Sequence, residues 1–138
     1  GEESGGISFA SHIPEKDGIA SALLLLEYVT SSGISLQTLV NEMYKEYGHL
    51  ESWRLDIVID PAIELRLEEI EAPEAILGMR VIGTKRIDGL KILLEEGSWI
   101  LLRKSGTENV VRIYAESKEN ERLRRLIEFG KSLLMKPS

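Results

Sequence analysis

The chain has no cysteine. Disulfide bridges and thiolate metal sites are both excluded, and the composition fits a cytoplasmic protein. Long apolar runs are also missing. The longest, Ile19 to Leu26, is interrupted by Ser21 and followed by Glu27. A helical span needs roughly 20 apolar residues, so no membrane partner is expected. The first residues are acidic and glycine-rich, unlike the basic and apolar start of a secretory signal. Positive charge is in short supply: 17 Lys and Arg stand against 23 Asp and Glu, a net charge of −6. A nucleic-acid partner would need a basic face, so none is expected. Any anionic ligand must instead be held by a local basic cluster, for which Lys16, Arg103, Lys104 and Arg112 are candidates. No internal repeat and no low-complexity segment occurs.

What is present suits a medium domain or a small domain with an appendage: 138 residues, of which 43% are hydrophobic, enough for a core. An acidic chain opening at Gly1-Glu2 reads as a piece of a longer protein. Residues 1–18 are loop-like. Asp17 is a plausible N-cap for a helix carrying Ile19, Ala22, Leu23, Leu26 and Val29 on one stripe and ending at Ser31-Ser32-Gly33. Ser35 starts a second helix with Leu36, Leu39, Val40, Met43, Tyr44 and Tyr47, closed by Gly48. The apolar positions of both helices are expected in a core.

His49 to Ser52 reads as a linker. Trp53, Leu55, Ile57 and Ile59 then alternate with polar neighbours, as a strand requires. Pro61 suits the first turn of a helix reaching about Glu71. Strands are expected over Met79 to Ile87, Leu90 to Leu94, Ser98 to Leu102 and Val110 to Glu116, with Asp88-Gly89 as a hairpin turn. A last helix runs from about Lys118 to Lys136. This order predicts an α+β domain, antiparallel hairpins with two helices on one face.

Between the last two strands lies Arg103-Lys104-Ser105-Gly106-Thr107-Glu108-Asn109. Two arginines, Arg103 and Arg112, flank a tight loop with two hydroxyls and a glycine. A phosphate dianion is well served by guanidinium forks, hydroxyl donors and exposed backbone N–H groups. On spacing alone, phosphate or carboxylate binding competes evenly with a plain strand connection. The second stretch to note is Gly1-Glu2-Glu3-Ser4-Gly5-Gly6, followed by Lys16-Asp17-Gly18. Read as chemistry alone, it is better explained by a flexible acidic terminus than by a ligand site.

Taken together and in this order, the two stretches resemble the C-terminal part of the α-D-phosphohexomutases, the phosphoglucomutase and phosphomannomutase family. The Gly-Glu-Glu-Ser-Gly-Gly run is similar to the family's sugar loop and the Arg-x-Ser-Gly-Thr run to its phosphate loop. The resemblance implies that residues 1–48 are the helical tail of an α/β third domain. It implies that residues 49–138 form a fourth domain of TATA-binding-protein-like form. It assigns sugar contacts to Glu2, Ser4 and Lys16, and phosphate contacts to Arg103, Ser105, Gly106, Thr107 and Arg112. The implied activity is interconversion of hexose 1-phosphate and hexose 6-phosphate through a bisphosphorylated intermediate. The sugar leans towards glucose on Gly6, with mannose open.

The family's phosphoserine loop and aspartate-rich magnesium loop are not found in this sequence. The chain is therefore expected to hold no catalytic residue and no metal ligand, to bind no Mg2+ itself, and to be inactive alone. Its implied partners are the phosphosugar and the protein's own N-terminal domains. The alternative is a stand-alone anion- or nucleotide-sensing module, which would have no need of the sugar loop. Asn109 stands where the family often carries proline.

Overall fold

The computed structural model of the chain describes residue 1, residues 5–60 and residues 67–135. The chain divides into two compact units, Gly1–Gly48 and His49–Ser138.

The first unit is a loop followed by two helices. Helix α1 spans Gly18–Ser32, and the Asp17 Oδ1 caps it by accepting from the Ala20 N–H at 2.9 Å. It stops at Gly33, whose left-handed backbone (φ 67°) lets its N–H reach the Val29 carbonyl at 3.1 Å. Helix α2 spans Leu36–Tyr47; the Ser35 hydroxyl accepts from the Thr38 N–H at 3.2 Å. The two helices meet at 93°.

The expectation that their apolar stripes are core is corrected here. Neither helix has a buried residue, and Ile19 is 78% exposed. No strand occurs among the described residues of this unit, so it offers no sheet for the stripes to pack on.

The second unit is a six-stranded antiparallel sheet in the order β1-β6-β5-β4-β3-β2. Its strands are β1 (Glu51–Val58), β2 (Ala75–Ile76), β3 (Met79–Lys85), β4 (Leu90–Leu94), β5 (Trp99–Lys104) and β6 (Val110–Ser117). Strands β3 to β6 form a meander, and β1 closes its far edge against β6. The period-two alternation of β4 and β6 puts Leu90, Ile92, Leu94, Val111, Ile113 and Ala115 on one buried face. Helix α3 (Asn120–Leu134) covers that face with Leu123, Leu126, Ile127 and Leu133. The fold is α+β, as the element order predicts.

Several boundaries differ from expectation. Strand β1 begins at Glu51, because Glu51 and Ser52 pair with Ser117 and Glu116; half of the expected linker is sheet. Most of the helix expected from Pro61 lies outside the described residues, and its far end is a single 3-10 turn, Leu67–Glu69. The short strand β2 carries no alternation long enough to find. The last helix is shorter than expected at its start, and Lys136 lies outside the described residues.

Candidate functional site

Arg103 and Arg112 are register partners across β5 and β6, so their side chains leave the same face of the sheet. That face is opposite the one covered by α3, since their strand neighbours Leu102 and Val111 are fully buried. Like charges placed directly opposite repel, and the arrangement needs counter-charges. It has them. Arg103 Nε lies 2.7 Å from the Asp88 carboxylate. Arg112 Nη2 donates to Glu108 at 2.9 Å, and Arg112 Nε lies 3.6 Å from the Asp56 carboxylate. Asp56 is itself gripped by both ends of the Arg54 fork at 2.8 Å. Hydrogen bonding from Arg54, with the nearby charge of Arg112 adding to it, holds the Asp56 carboxyl below its ordinary range. Arg112 Nε is buried and makes no hydrogen bond among the described residues.

The loop between the arginines closes where the Ser105 N–H donates to the Val110 carbonyl at 2.9 Å. The Ser105 hydroxyl turns back into the loop. It accepts from the Thr107 N–H at 3.4 Å and the Glu108 N–H at 3.3 Å. Ser105 thus shapes the turn, a local hydroxyl-to-backbone bond of the kind serine makes outside regular structure. Its own O–H is still a donor for an oxyanion. Gly106 and Thr107 are exposed at the loop's tip. The arrangement can hold an anion with two guanidinium forks and a hydroxyl. Their charge is tempered by three carboxylates.

The structure brings Arg103, Ser105, Gly106, Thr107 and Arg112 into one loop and its two flanking strands. Glu2 and Ser4 lie outside the described residues. Lys16 is exposed in the first unit, one residue before the N-cap of α1. His12 Nε2 bonds Asp17 Oδ2 at 3.0 Å and so ties the loop to the start of α1. Asp17 is held below the ordinary carboxylate range, first by the Ala20 N–H and then by His12. Two members of the arginine cluster were missed by sequence reasoning, Asp56 and Asp88. Both were visible only as a strand's polar position and a hairpin turn, and neither carries a signal of its partner. Among the described residues no group of three or more His, Cys, Asp or Glu is arranged to hold a metal. No single described helix is long and apolar enough to cross a membrane.

The fold is an α+β sheet with two arginines paired across one strand connection, an arrangement able to hold an anion. Family models make the class specific. Residues 63–129 match the phosphoglucomutase/phosphomannomutase C-terminal domain, and residues 1–47 match that family's alpha/beta/alpha domain III. A phosphoglucomutase/phosphomannomutase of Thermococcus kodakarensis is 32% identical over 97% of this chain and 28% of its own length. A phosphoglucosamine/phosphogalactosamine mutase of Sulfurisphaera tokodaii is 32% identical over 86% of this chain and 25% of its own. A phosphoglucomutase of Komagataeibacter xylinus is 33% identical over 85% and 24%. The chain spans about a quarter of the length of these curated relatives. It belongs to the phosphoglucomutase/phosphomannomutase family.

Proposed function

We propose that this chain is the substrate-recognition part of a phosphohexomutase, acting on hexose 1- and 6-phosphates through a bisphosphorylated intermediate. The observation that carries this reading is the Arg103–Arg112 register pair flanking the Ser105-Gly106-Thr107 turn. Phosphoryl transfer depends on holding the phosphate in place, and two forks with a loop of donors do that work. In this reading residues 49–138 are the phosphate-binding domain. Residues 1–48 are the end of the sugar-binding domain, with Glu2, Ser4 and Lys16 on the sugar. A carboxylate and a hydroxyl suit a sugar that must bind in two orientations, because they address adjacent ring hydroxyls rather than one end of the molecule. Magnesium and the phosphorylated serine belong, in this reading, to the rest of the protein, and the 138-residue chain alone turns nothing over.

Glucose is the favoured sugar on Gly6. The names of the relatives also include mannose, glucosamine and galactosamine. The test is turnover of the four hexose 1-phosphates by the full-length protein. Glu2→Gln is expected to lower kcat/KM for the preferred sugar while leaving affinity for inorganic phosphate unchanged. An equal loss for phosphate would remove Glu2 from the sugar site. The stand-alone sensing reading gains nothing from the structure, since the family match extends over residues 1–47 as well.

A further inference from the structure

Arg103 is held from a second place in the chain, and that place is not the loop. Asp88 is at the tip of the β3–β4 hairpin, and its Oδ2 lies 2.7 Å from Arg103 Nε. An exposed ion pair alone is weak, but here the backbone beneath it is fixed. Gly89 has φ 104°, and a Cβ there would collide with the Leu102 carbonyl oxygen and come 3.1 Å from the Arg103 Cα. Only a glycine admits that approach, so the hairpin tip is seated on the strand segment where Arg103 begins. The Leu90–Leu102 pairing continues the same contact into the ladder.

We propose that Asp88 is a positioning residue for phosphate recognition, fixing the guanidinium of Arg103 before the anion arrives. The proposal rests on the reading of Arg103 as a phosphate contact. A planar guanidinium paired with a carboxylate at one edge is limited in the directions its fork can face. Asp88 binds at Nε, the inner edge of the fork, and 44% of the side chain is exposed to a ligand. It also holds Arg103 against the repulsion of Arg112 directly opposite. An ordered arginine loses less side-chain entropy when the anion binds.

Charge and position predict opposite signs for the loss of Asp88. Removing a carboxylate beside an anion site should tighten binding if only the field matters. It should weaken binding if Asp88 orders the fork. Asp88→Asn separates the two, and Asn-Gly is as good a hairpin turn as Asp-Gly, so the fold stands. The probe is inorganic phosphate, titrated into the 138-residue chain and followed by NMR, with the Arg103 Nε–H signal observed directly. Asp88→Asn is expected to raise the dissociation constant about threefold to tenfold, the cost of ordering one long side chain on binding. It should also speed exchange of the Arg103 Nε–H. In an Arg103→Lys background the same change should add nothing, because its effect passes through Arg103. Unchanged or tighter binding by Asp88→Asn, with Arg103→Lys weakened, overturns the positioning role and leaves the phosphate reading standing. Unchanged binding by Arg103→Lys itself overturns the phosphate reading and this inference with it.

Discussion

Gly130 of α3 lies directly on Ile113 of β6: a Cβ at Gly130 would meet Ile113 Cγ2 at 2.8 Å and Ile100 Cδ1 at 2.9 Å. The helix approaches the sheet this closely because residue 130 has no side chain. Ile113 lies one residue from Arg112, on the opposite face of the strand. The packing that seats α3 and the face that carries the arginines are thus two sides of one strand.

Gly130→Val is therefore expected to destabilise the domain by about 1–3 kcal/mol through overpacking. Gly130→Ala should cost less, since better helix propensity offsets part of the clash by up to ~1 kcal/mol. Urea denaturation followed by far-UV circular dichroism measures both. A valine variant as stable as the parent would mean that α3 does not lie this close to β6.

Gly89→Ala meets a harder obstacle. The backbone there is in a region that side chains rarely adopt, and the atom in the way is the Leu102 carbonyl oxygen rather than a movable side chain. The hairpin must lift from β5, and Asp88 leaves Arg103 with it. Loss of amide protection across β4 and β5 in hydrogen exchange is the expected outcome, together with weaker phosphate binding.

Much of this architecture is legible in the sequence because local rules agree with one another. Asp17 and Ser35 cap their helices, Asp88-Gly89 turns a hairpin, and Leu90, Ile92 and Leu94 alternate into the core. The buried Leu123, Leu126, Ile127 and Leu133 of α3 recur at helical spacing, whereas Gly130 leaves no periodic mark because it has no side chain. The first unit went the other way. Its stripes are at helical spacing, yet periodicity says only that a face seeks a partner, not that the partner is in the same chain segment. Strand β2 and the start of β1 are set by pairing with distant strands rather than by their own residues. In the candidate site the loop residues were visible as a motif. Asp56 and Asp88 were not, because the cross-strand register that brings them to the arginines is a property of the fold.

The exposed helices carry a prediction of their own. Leu23, Leu24, Leu25 and Leu26 are each at least 45% exposed, and Met43, Tyr44 and Tyr47 on α2 are exposed as well. A surface so apolar is sticky. The 138-residue chain is expected to bind a hydrophobic dye and to self-associate as concentration rises in sedimentation experiments. Leu23→Glu with Leu26→Glu should reduce both. A strictly monomeric chain with no dye binding would contradict the exposure of α1.

Acid should loosen the carboxylate contacts. Asp17 and Asp56 are both held below the ordinary carboxylate range, by the Ala20 N–H and by Arg54 respectively as the first cause. A depressed folded pKa means the unfolded chain binds protons more readily. The stabilising contribution is then complete above the ordinary value, near pH 4, and is lost as pH falls through the depressed values. Carboxyl chemical shifts followed from pH 6 down to pH 2 should show both residues titrating late. Asp56→Asn should remove part of the acid dependence. A normal titration at either residue would mean that its hydrogen bonds do not persist in solution.

The two arginines should part company when each is removed. Arg103 is 44% exposed with one ion pair to a hairpin tip, while Arg112 is 24% exposed and stands between carboxylates of β1 and the loop. Arg112→Ala leaves Asp56 and Glu108 without that partner, so it should lower thermal stability as well as phosphate affinity. Arg103→Ala gives up only a surface ion pair, worth at most about 1 kcal/mol to the fold. Its main effect should be on the ligand. Hydrogen bonds to a charged partner are worth about 1.5–3 kcal/mol, and partial exposure favours the low end, so a loss of about tenfold in affinity for a hexose 1-phosphate is expected. Arg103→Lys should recover part of that, because a point charge restores the attraction but not the fork. Calorimetric titration of the full-length protein, beside a melting curve for each variant, measures the two effects separately. If Arg103→Ala binds the sugar phosphate as tightly as the parent, the phosphate is held elsewhere and the paired arginines are no more than a solvated sheet face.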